Sequence, residues 1–214
     1  MTEAETPDGT AYEKRPEFLI AMYNQLMSDI NRHIVVVWQM AGVVAAAVAA
    51  IAISEENGFP LALAILLFYG VCLWAIDHIH DSNFWYNRNL VMITNIERIF
   101  LTKDDLKLIH PYFASHRKKG SFLEHLSIQR NYIKLSAILA FFYFAFLKII
   151  PTLSFSACLD LIKVLPVIGL AVIIWRDQER KKFYDEKYQE YLNISPGLTI
   201  DHSIDFGSTH GKKS

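Results

Sequence analysis

Apolar side chains along the chain are gathered into four long windows with polar stretches between them. The windows cover residues 34–54, 59–76, 135–150 and roughly 157–175. Each comes close to the ~20 residues that an α-helix needs to cross ~30 Å of hydrocarbon. A buried helix of a soluble protein would carry polar residues at every third or fourth position, and the run from Val43 to Ile53 carries none. The pattern therefore predicts an all-α, polytopic membrane protein with four transmembrane helices.

The stretch before the first span carries an amphipathic pattern. Pro16 marks a helix start, because its missing N–H is not needed in the first turn. Apolar positions then recur at helical spacing at Phe18, Met22, Leu26 and Ile30, followed by His33. We expect this helix either to run straight into the first span or to lie along the membrane surface. Its stripe can equally pack on a neighbouring helix of the same chain.

The polar stretches that follow predict extensions of the spans. Neither glycine nor proline occurs between residues 82 and 101, so the second span is expected to continue as one long helix. Thr102 predicts the cap of a short helix, and Ser121 with Glu124 forms a capping-box pattern ahead of the third span. The predicted divisions are 1–15 (flexible), 16–33 (amphipathic helix), 34–80 (hairpin of spans 34–54 and 59–80), 81–130 (cytoplasmic helices), 131–175 (hairpin of spans 131–150 and 157–175), 176–194 (charged helix) and 195–214 (flexible tail).

The distribution of charge predicts the orientation, whereas the net charge of −1 says little by itself. If both termini are cytoplasmic, only Lys148 and Lys163 of the 21 Lys and Arg residues lie outside. The tryptophans all lie at, or just beyond, the ends that this orientation makes cytoplasmic: Trp38, Trp74, Trp85 and Trp175. No cleaved signal peptide is expected, because the extreme N-terminus is acidic and the first apolar run begins late. We expect a multi-pass protein of the cell (inner) membrane.

Small residues form two adjacent stripes on the first span. The stripes repeat every four residues and consist of Ala41, Ala45 and Ala49, and of Gly42, Ala46 and Ala50. Stripes of this kind let helix backbones approach closely in lipid. We expect the first span to be the most tightly packed helix. Its partner is either the second span of the same chain or a neighbouring subunit. The leading expectation for the assembly is a homo-oligomer.

The stretch "WAIDHIHDSNFWYNRN", residues 74–89, ends the second apolar window in a polar cluster. On a helix Asp77, His80 and Asp81 share one face, and His78 points away. Such donors can hold a divalent metal, form a gating or assembly cluster, or simply solvate a helix end, and Asp81 can pair with Arg88 of a neighbouring helix. We assign no metal and no cofactor.

Three further groups are candidates for contacts outside the bilayer core. Lys148, Asp160 and Lys163 form an outer charged cluster, which is either a salt-bridged collar or the vestibule of a pore. Histidines and basic residues of 110–125 can meet anionic lipid or a small phosphate-bearing signalling ligand. The charged helix 176–194 has an aromatic stripe that can recruit a cytoplasmic protein partner: Phe183, Tyr184, Tyr188 and Tyr191.

The chain lacks the motifs of common enzymes. We find no Gly-rich phosphate loop, GxSxG, HExxH or CxxC, and no nucleic-acid partner is expected. The two cysteines, Cys72 and Cys158, fall toward opposite ends of their spans and predict no disulfide. Transporters usually carry broken helices or polar residues at mid-membrane. These spans show little of either, so the sequence does not favour a transporter.

The architecture across residues 16 to 192 resembles the small multi-helix membrane effectors of bacterial anti-phage systems, the SLATT-like and four-span types. That resemblance implies oligomerisation and membrane disruption or ion leak after a cytoplasmic signal. We therefore expect a homo-oligomeric, channel-like membrane effector without a catalytic centre. The alternatives are a membrane anchor that recruits a soluble partner and a metal-dependent membrane enzyme at Asp77, His80 and Asp81.

Overall fold

The computed structural model describes residues 13–56, 58–101, 105, 125–152 and 161–195. Within them the chain forms four α-helices, which are α1 (Arg15–Glu56), α2 (Leu61–Phe100), α3 (Ser127–Phe144) and α4 (Leu161–Ile194). A π-helical turn, Ala145–Ile149, and a 3-10 turn, Ile150–Thr152, continue α3. The predicted all-α class is confirmed. The predicted helix starts at Thr102 and Ser121 lie outside the described residues, as do most of the predicted flexible ends.

Helices α1 and α2 form an antiparallel hairpin. The turn between them contains Gly58 at φ +70°, a conformation that favours glycine. The Phe59 N–H donates to the Ser54 carbonyl at 2.9 Å across the end of α1, as in a Schellman motif. Helix α1 is continuous over 42 residues, so the amphipathic segment runs straight into the first span. Helix α2 is likewise continuous over 40 residues, as predicted for the second span and its extension.

Helix α2 lies at the centre of the bundle and contacts α1, α3 and α4. One apolar cluster joins all four helices around residues such as Val44, Ile65 and Ile133. A second cluster packs Leu26 and Ile30 of α1 on the far half of α2, so the amphipathic stripe of α1 packs within its own chain. The most apolar window of α2 is 50% buried and that of α1 is 22% buried. The prediction that the first span is the most tightly packed helix is therefore wrong for the single chain.

Three helical segments are long and apolar enough to cross a membrane. They are Arg15–Ser54, Leu61–Glu97 and Ser127–Ile149, and they match the first three predicted spans. Large apolar side chains point outward from these segments, among them Val43, Leu67 and Phe142. The apolar part of α4, residues 161–175, is about 22 Å long at ~1.5 Å per residue, which is less than the ~30 Å hydrocarbon core.

Helices α2 and α4 run in the same direction and are closely packed. Contacts along them keep a nearly constant offset, from Asp77 with Arg176 to Asn95 with Ser195. A Cβ atom added at Gly169 of α4 would lie 2.5 Å from the ring of Tyr69 on α2, so this crossing requires glycine. The Tyr69 hydroxyl donates to the Ala137 carbonyl of α3 at 3.4 Å. Tyr69 therefore links three helices within the apolar part of the bundle.

Candidate functional site

The predicted Asp77, His80 and Asp81 share one face of α2, and that face meets α4. Their partners are side chains that follow the apolar part of α4. We call the whole group the α2–α4 polar cluster: Asp77, His80, Asp81, Arg176, Asp177, Arg180 and Tyr184. It lies where the apolar parts of both helices end, so it separates the apolar end of the bundle from its polar end.

Two arginines of α4 hold the carboxylate of Asp77. Arg176 donates to Asp77 through Nε and Nη2 at 3.1 and 3.0 Å. Arg180, one turn later, donates at 3.0 and 3.3 Å. The hydrogen bonds to Asp77 are the main cause that raises the pKa of Arg176, and Glu179 adds to it at 2.7 Å. Two bidentate contacts on one carboxylate fix the position of α4 along α2.

Asp177 of α4 contacts side chains of both α2 and α3. This carboxylate is 8% exposed. It accepts hydrogen bonds from His80 Nε2 of α2 at 2.9 Å and from Lys134 Nζ of α3 at 2.9 Å, with Arg130 Nε at 3.8 Å. Burial raises the pKa of Asp177, but the hydrogen bonds from His80 and Lys134 outweigh it and bring the pKa to about 2. Asp177 is therefore ionised near neutral pH.

Tyr184 completes the polar cluster on the side of Asp81. Its hydroxyl donates to Asp81 Oδ1 at 3.0 Å, and its ring stacks on that of His80 with a centroid distance of 6.4 Å. Burial and the neighbouring Asp81 carboxylate raise the pKa of Tyr184 to about 12. Asp177 and Tyr184 thus keep one protonation state through the physiological range. Both act as fixed hydrogen-bonding groups rather than as an acid–base pair.

The geometry does not favour metal binding at the polar cluster. Asp77 and Asp177 already accept hydrogen bonds from cationic side chains, and His80 donates to Asp177. Within the described ranges, no three His, Cys, Asp or Glu side chains come together in a way that could hold an ion. What the arrangement can do is hold α2, α3 and α4 together at the boundary between the apolar and polar ends.

Within the single chain Arg88 lies apart from this polar cluster, and its pairing with Asp81 of a neighbouring helix stays a prediction. Its guanidinium carbon lies 4.5 Å from the centroid of the Trp85 ring and 5.9 Å from that of Tyr191. Asp81 bonds to Tyr184 instead of Arg88. The reason is helical geometry, because Arg88 lies two turns beyond Asp81 and meets a later turn of α4.

Buried polar side chains continue on α2 toward α3. His125 Nδ1 lies 3.2 Å from Asn83 Oδ1, and its ring stacks on Tyr86 at 3.7 Å. Burial lowers the pKa of His125 to about 4, so the ring is neutral at pH 7. Asn83 and Asn87 are almost fully buried, and Asn87 donates to the Asn83 carbonyl at 2.7 Å. The remaining histidines and basic residues predicted as a patch, 110–119, lie outside the described residues.

The small-residue stripes of α1 are not buried within the chain. Ala45, Ala46, Ala49 and Ala50 are exposed, Ala41 is half-buried, and a Cβ added at Gly42 would meet nothing within 4 Å. Helix α1 instead packs on α2 through Val37, Met40, Val44 and Ile51. In this fold the second span of the same chain therefore leaves most of the stripes uncovered, and the neighbouring subunit stays a prediction.

The structure describes only part of the predicted outer charged cluster. It buries part of the predicted partner-binding stripe between helices of the same chain. Lys148 sits in the π-helical turn after α3, whereas Asp160 and the side chain of Lys163 lie outside the described part, so the outer charged cluster stays a prediction. In the predicted partner-binding stripe, Tyr184 and Tyr188 are buried in a contact with Phe84 and Val91 of α2, and Tyr191 packs against it. Phe183 is 48% exposed.

Several members of the polar cluster were not predicted from the sequence. Arg176, Asp177 and Arg180 follow the fourth apolar window just as Asp77, His80 and Asp81 follow the second. In two parallel helices such as α2 and α4, the apolar parts end side by side. Complementary charges at corresponding ends were therefore the signal that could have indicated this contact. No such signal in the sequence indicated that Lys134 of α3 contacts Asp177.

Comparisons of this chain with family models, with curated proteins and with solved structures find no match.

Proposed function

We propose that this protein is a homo-oligomeric, channel-like effector of the inner membrane that opens in response to a cytoplasmic signal. It has four spans with both termini in the cytoplasm, and α4 belongs to the fourth span. It has no catalytic centre, and its surroundings are membrane lipid. The defence role implied by the resemblance to anti-phage effectors belongs to the same proposal.

The observation that carries this proposal is the polar cluster on a continuous helix. Helix α2 extends without a break from the apolar layer at Leu61 to Phe100 at the polar end. A displacement of its polar half is therefore transmitted directly to its apolar half. The polar cluster ties that helix to α4 at the boundary, with Asp77 held by both Arg176 and Arg180. We infer that these contacts hold the closed state.

The exposed small residues of α1 support the oligomeric part of the proposal. An exposed small-xxx-small stripe lets a second helix approach closely, and none of the four described helices covers it. Beside it, a groove of about 450 Å³ lies between α1 and α3, lined by residues that include Ala45, Ile51 and Leu139. A helix of a neighbouring subunit can cover both features.

The first test measures assembly and leak with purified protein. The mass of the particle in nanodiscs reports the subunit count, and dye release from liposomes reports leak. Asp77→Asn weakens both arginine contacts, so we expect greater unstimulated leak than in the wild type. Glu186→Gln is the matched control, because it also removes a carboxylate but from an exposed pair with Lys182 at 3.8 Å.

Assembly is tested with two substitutions on the same helix. Ala46→Leu places a large side chain on the small-residue stripe and should lower the subunit count. Val43→Leu is its control, since Val43 is an exposed residue of α1 that is already large, so the substitution adds little volume. A monomeric wild type that leaves vesicles tight, or equal leak for Asp77→Asn and Glu186→Gln, would contradict the proposal. Phage challenge of cells with and without the protein tests the defence role separately.

A further inference from the structure

A cationic aromatic surface lies on the polar half of the bundle, between α2 and α4. It consists of Trp85, Arg88, Phe183 and Lys187, and we call it the Trp85–Lys187 surface. Arg88 lies over the Trp85 ring at 4.5 Å, and the Nζ atom of Lys187 lies 4.5 Å from the centroid of the Phe84 ring beneath it. Trp85 is 37% exposed and Phe183 48% exposed. Two cations and two aromatic rings therefore share one accessible face.

The positive charges of this surface are not neutralised by the described part of the chain. No carboxylate of the described residues forms an ion pair with Arg88 or Lys187, whose contacts are with aromatic rings. By contrast, Arg176 and Arg180 of the same region bind Asp77, and Lys182 pairs with Glu186. Unpaired cations beside exposed rings suit a segment that carries both carboxylates and apolar side chains.

The position of this surface argues against a lipid occupant. Phe183 follows Trp175 by eight residues and Trp85 follows Trp74 by eleven, which gives about 12 to 16 Å along the helices. With Trp74 and Trp175 at the membrane interface, the headgroup layer extends only about 5 to 8 Å further. The surface therefore lies beyond the headgroups. This step rests on the membrane placement within the proposed function.

We propose that residues 196–206 of the same chain dock on the Trp85–Lys187 surface. Their sequence, "PGLTIDHSIDF", contains Asp201 and Asp205 among apolar residues and has no Lys or Arg. Ser195 lies next to α2, since its Oγ accepts a hydrogen bond from Asn95 Nδ2 at 3.4 Å. The attachment point is thus on the same pair of helices as the surface.

The reach of this segment matches the distance to the surface. Lys187 lies eight residues before Ser195, which is about 12 Å along α4. Asp201 lies six residues after Ser195, and an extended chain of that length spans up to ~20 Å. A short tether also raises the effective concentration of the two aspartates to the mM range, so a weak attraction is sufficient. The contact covers the exposed rings and neutralises both cations.

Zero-length cross-linking of the full chain tests this contact directly. A carbodiimide joins a lysine amine to an adjacent carboxylate, and peptide mass spectrometry identifies the pair. We expect links from Lys187 to Asp201 or Asp205, and lower yield at Lys187 in Arg88→Gln. Lys182 is the matched control, because its side chain is 80% exposed one residue before Phe183. A mixture of isotopically light and heavy chains distinguishes links within a chain from links between chains.

Three outcomes would overturn the proposal. They are equal linking of the two aspartates to Lys182, absence of links to Lys187, and links found only between chains. Thermal unfolding of Lys187→Ala with and without residues 196–214 gives a second measurement, since removing the segment should lower stability only when Lys187 is present. A monomeric protein without leak would refute the proposed function and leave the cross-linking result unchanged.

Discussion

Replacing Asp177 by asparagine removes the charge that joins α2, α3 and α4. The native pKa of about 2 lies well below the ordinary value of 3.8, which corresponds to roughly 2 kcal/mol of stability at pH 7. The hydrogen bonds of Asp177 give a similar free energy. The asparagine oxygen can still accept one hydrogen bond, so one of two charge-assisted bonds is lost, at about 1.5 to 3 kcal/mol. We therefore expect Asp177→Asn to lower the free energy of unfolding by about 2 to 3 kcal/mol.

The pH dependence of this loss has a definite sign. The folded pKa of Asp177 lies below its unfolded value, so its contribution is fully present above about pH 4. The contribution disappears as the pH falls from about 4 toward 2. Wild type and Asp177→Asn should therefore differ most near pH 7, and the difference should shrink below pH 4.

Unfolding can be followed through a buried thiol. Cys72 is fully buried in α2 and reacts with a thiol-sensitive dye only after the bundle opens. In a Cys158→Ser background it is the only cysteine of the chain. Denaturant titration in mild detergent, read by dye fluorescence, then gives the free energy of unfolding. Glu186→Gln serves as control, since it removes a carboxylate from the same helix at an exposed pair.

A loss of unfolding free energy at Asp177→Asn no larger than at Glu186→Gln would show that the charge of Asp177 does not stabilise the contact between the three helices. Exposed ion pairs contribute about 0 to 1 kcal/mol, so the control should change little. A difference from wild type that persists undiminished at pH 3 would show the same, because the charge of Asp177 would then not be its source.

Two further predictions use the same assay. Gly169→Ala should destabilise by about 1 to 3 kcal/mol, because the new Cβ meets the Tyr69 ring at 2.5 Å, whereas Gly42→Ala should be neutral or stabilising by up to about 1 kcal/mol. Equal effects of the two substitutions would contradict the described packing. Tyr184→Phe removes the donor to Asp81 and should cost about 1 to 2 kcal/mol, and an unchanged unfolding free energy would show that this hydrogen bond is not formed.

Helix existence and length could be predicted from the sequence because the signals are local. Apolar windows set the spans, and the absence of glycine and proline after residue 82 predicted that α2 continues to Phe100. Helical spacing placed Asp77, His80 and Asp81 on one face. None of these inferences requires knowing which helices touch.

The partners of that face could not be predicted because they depend on the packing of distant helices. Asp177 follows the fourth apolar window in the sequence, but its partners His80 and Lys134 lie on two other helices. Tyr184 and Tyr188 were expected to be available to a partner, but the parallel packing of α2 and α4 buries them. The packing of α1 was misjudged for the same reason. Small residues permit close approach, but they do not determine which helix approaches.

The contrast between the two interfaces of α2 indicates which parts would move if the protein acts as proposed. The α2–α4 interface is fixed by charged groups at several levels, so a sliding motion would separate Asp77 from Arg176 and His80 from Asp177 together. The α1–α2 interface is largely apolar, and its polar contacts include a long hydrogen bond of 3.4 Å from Tyr23 to Glu97. Apolar contacts tolerate small shifts better than directional ion pairs do. Under the proposed function, opening therefore has to break the ion pairs between α2 and α4, such as those of Asp77 with Arg176 and Arg180, whereas α1 can adjust against α2 by small shifts of apolar contacts.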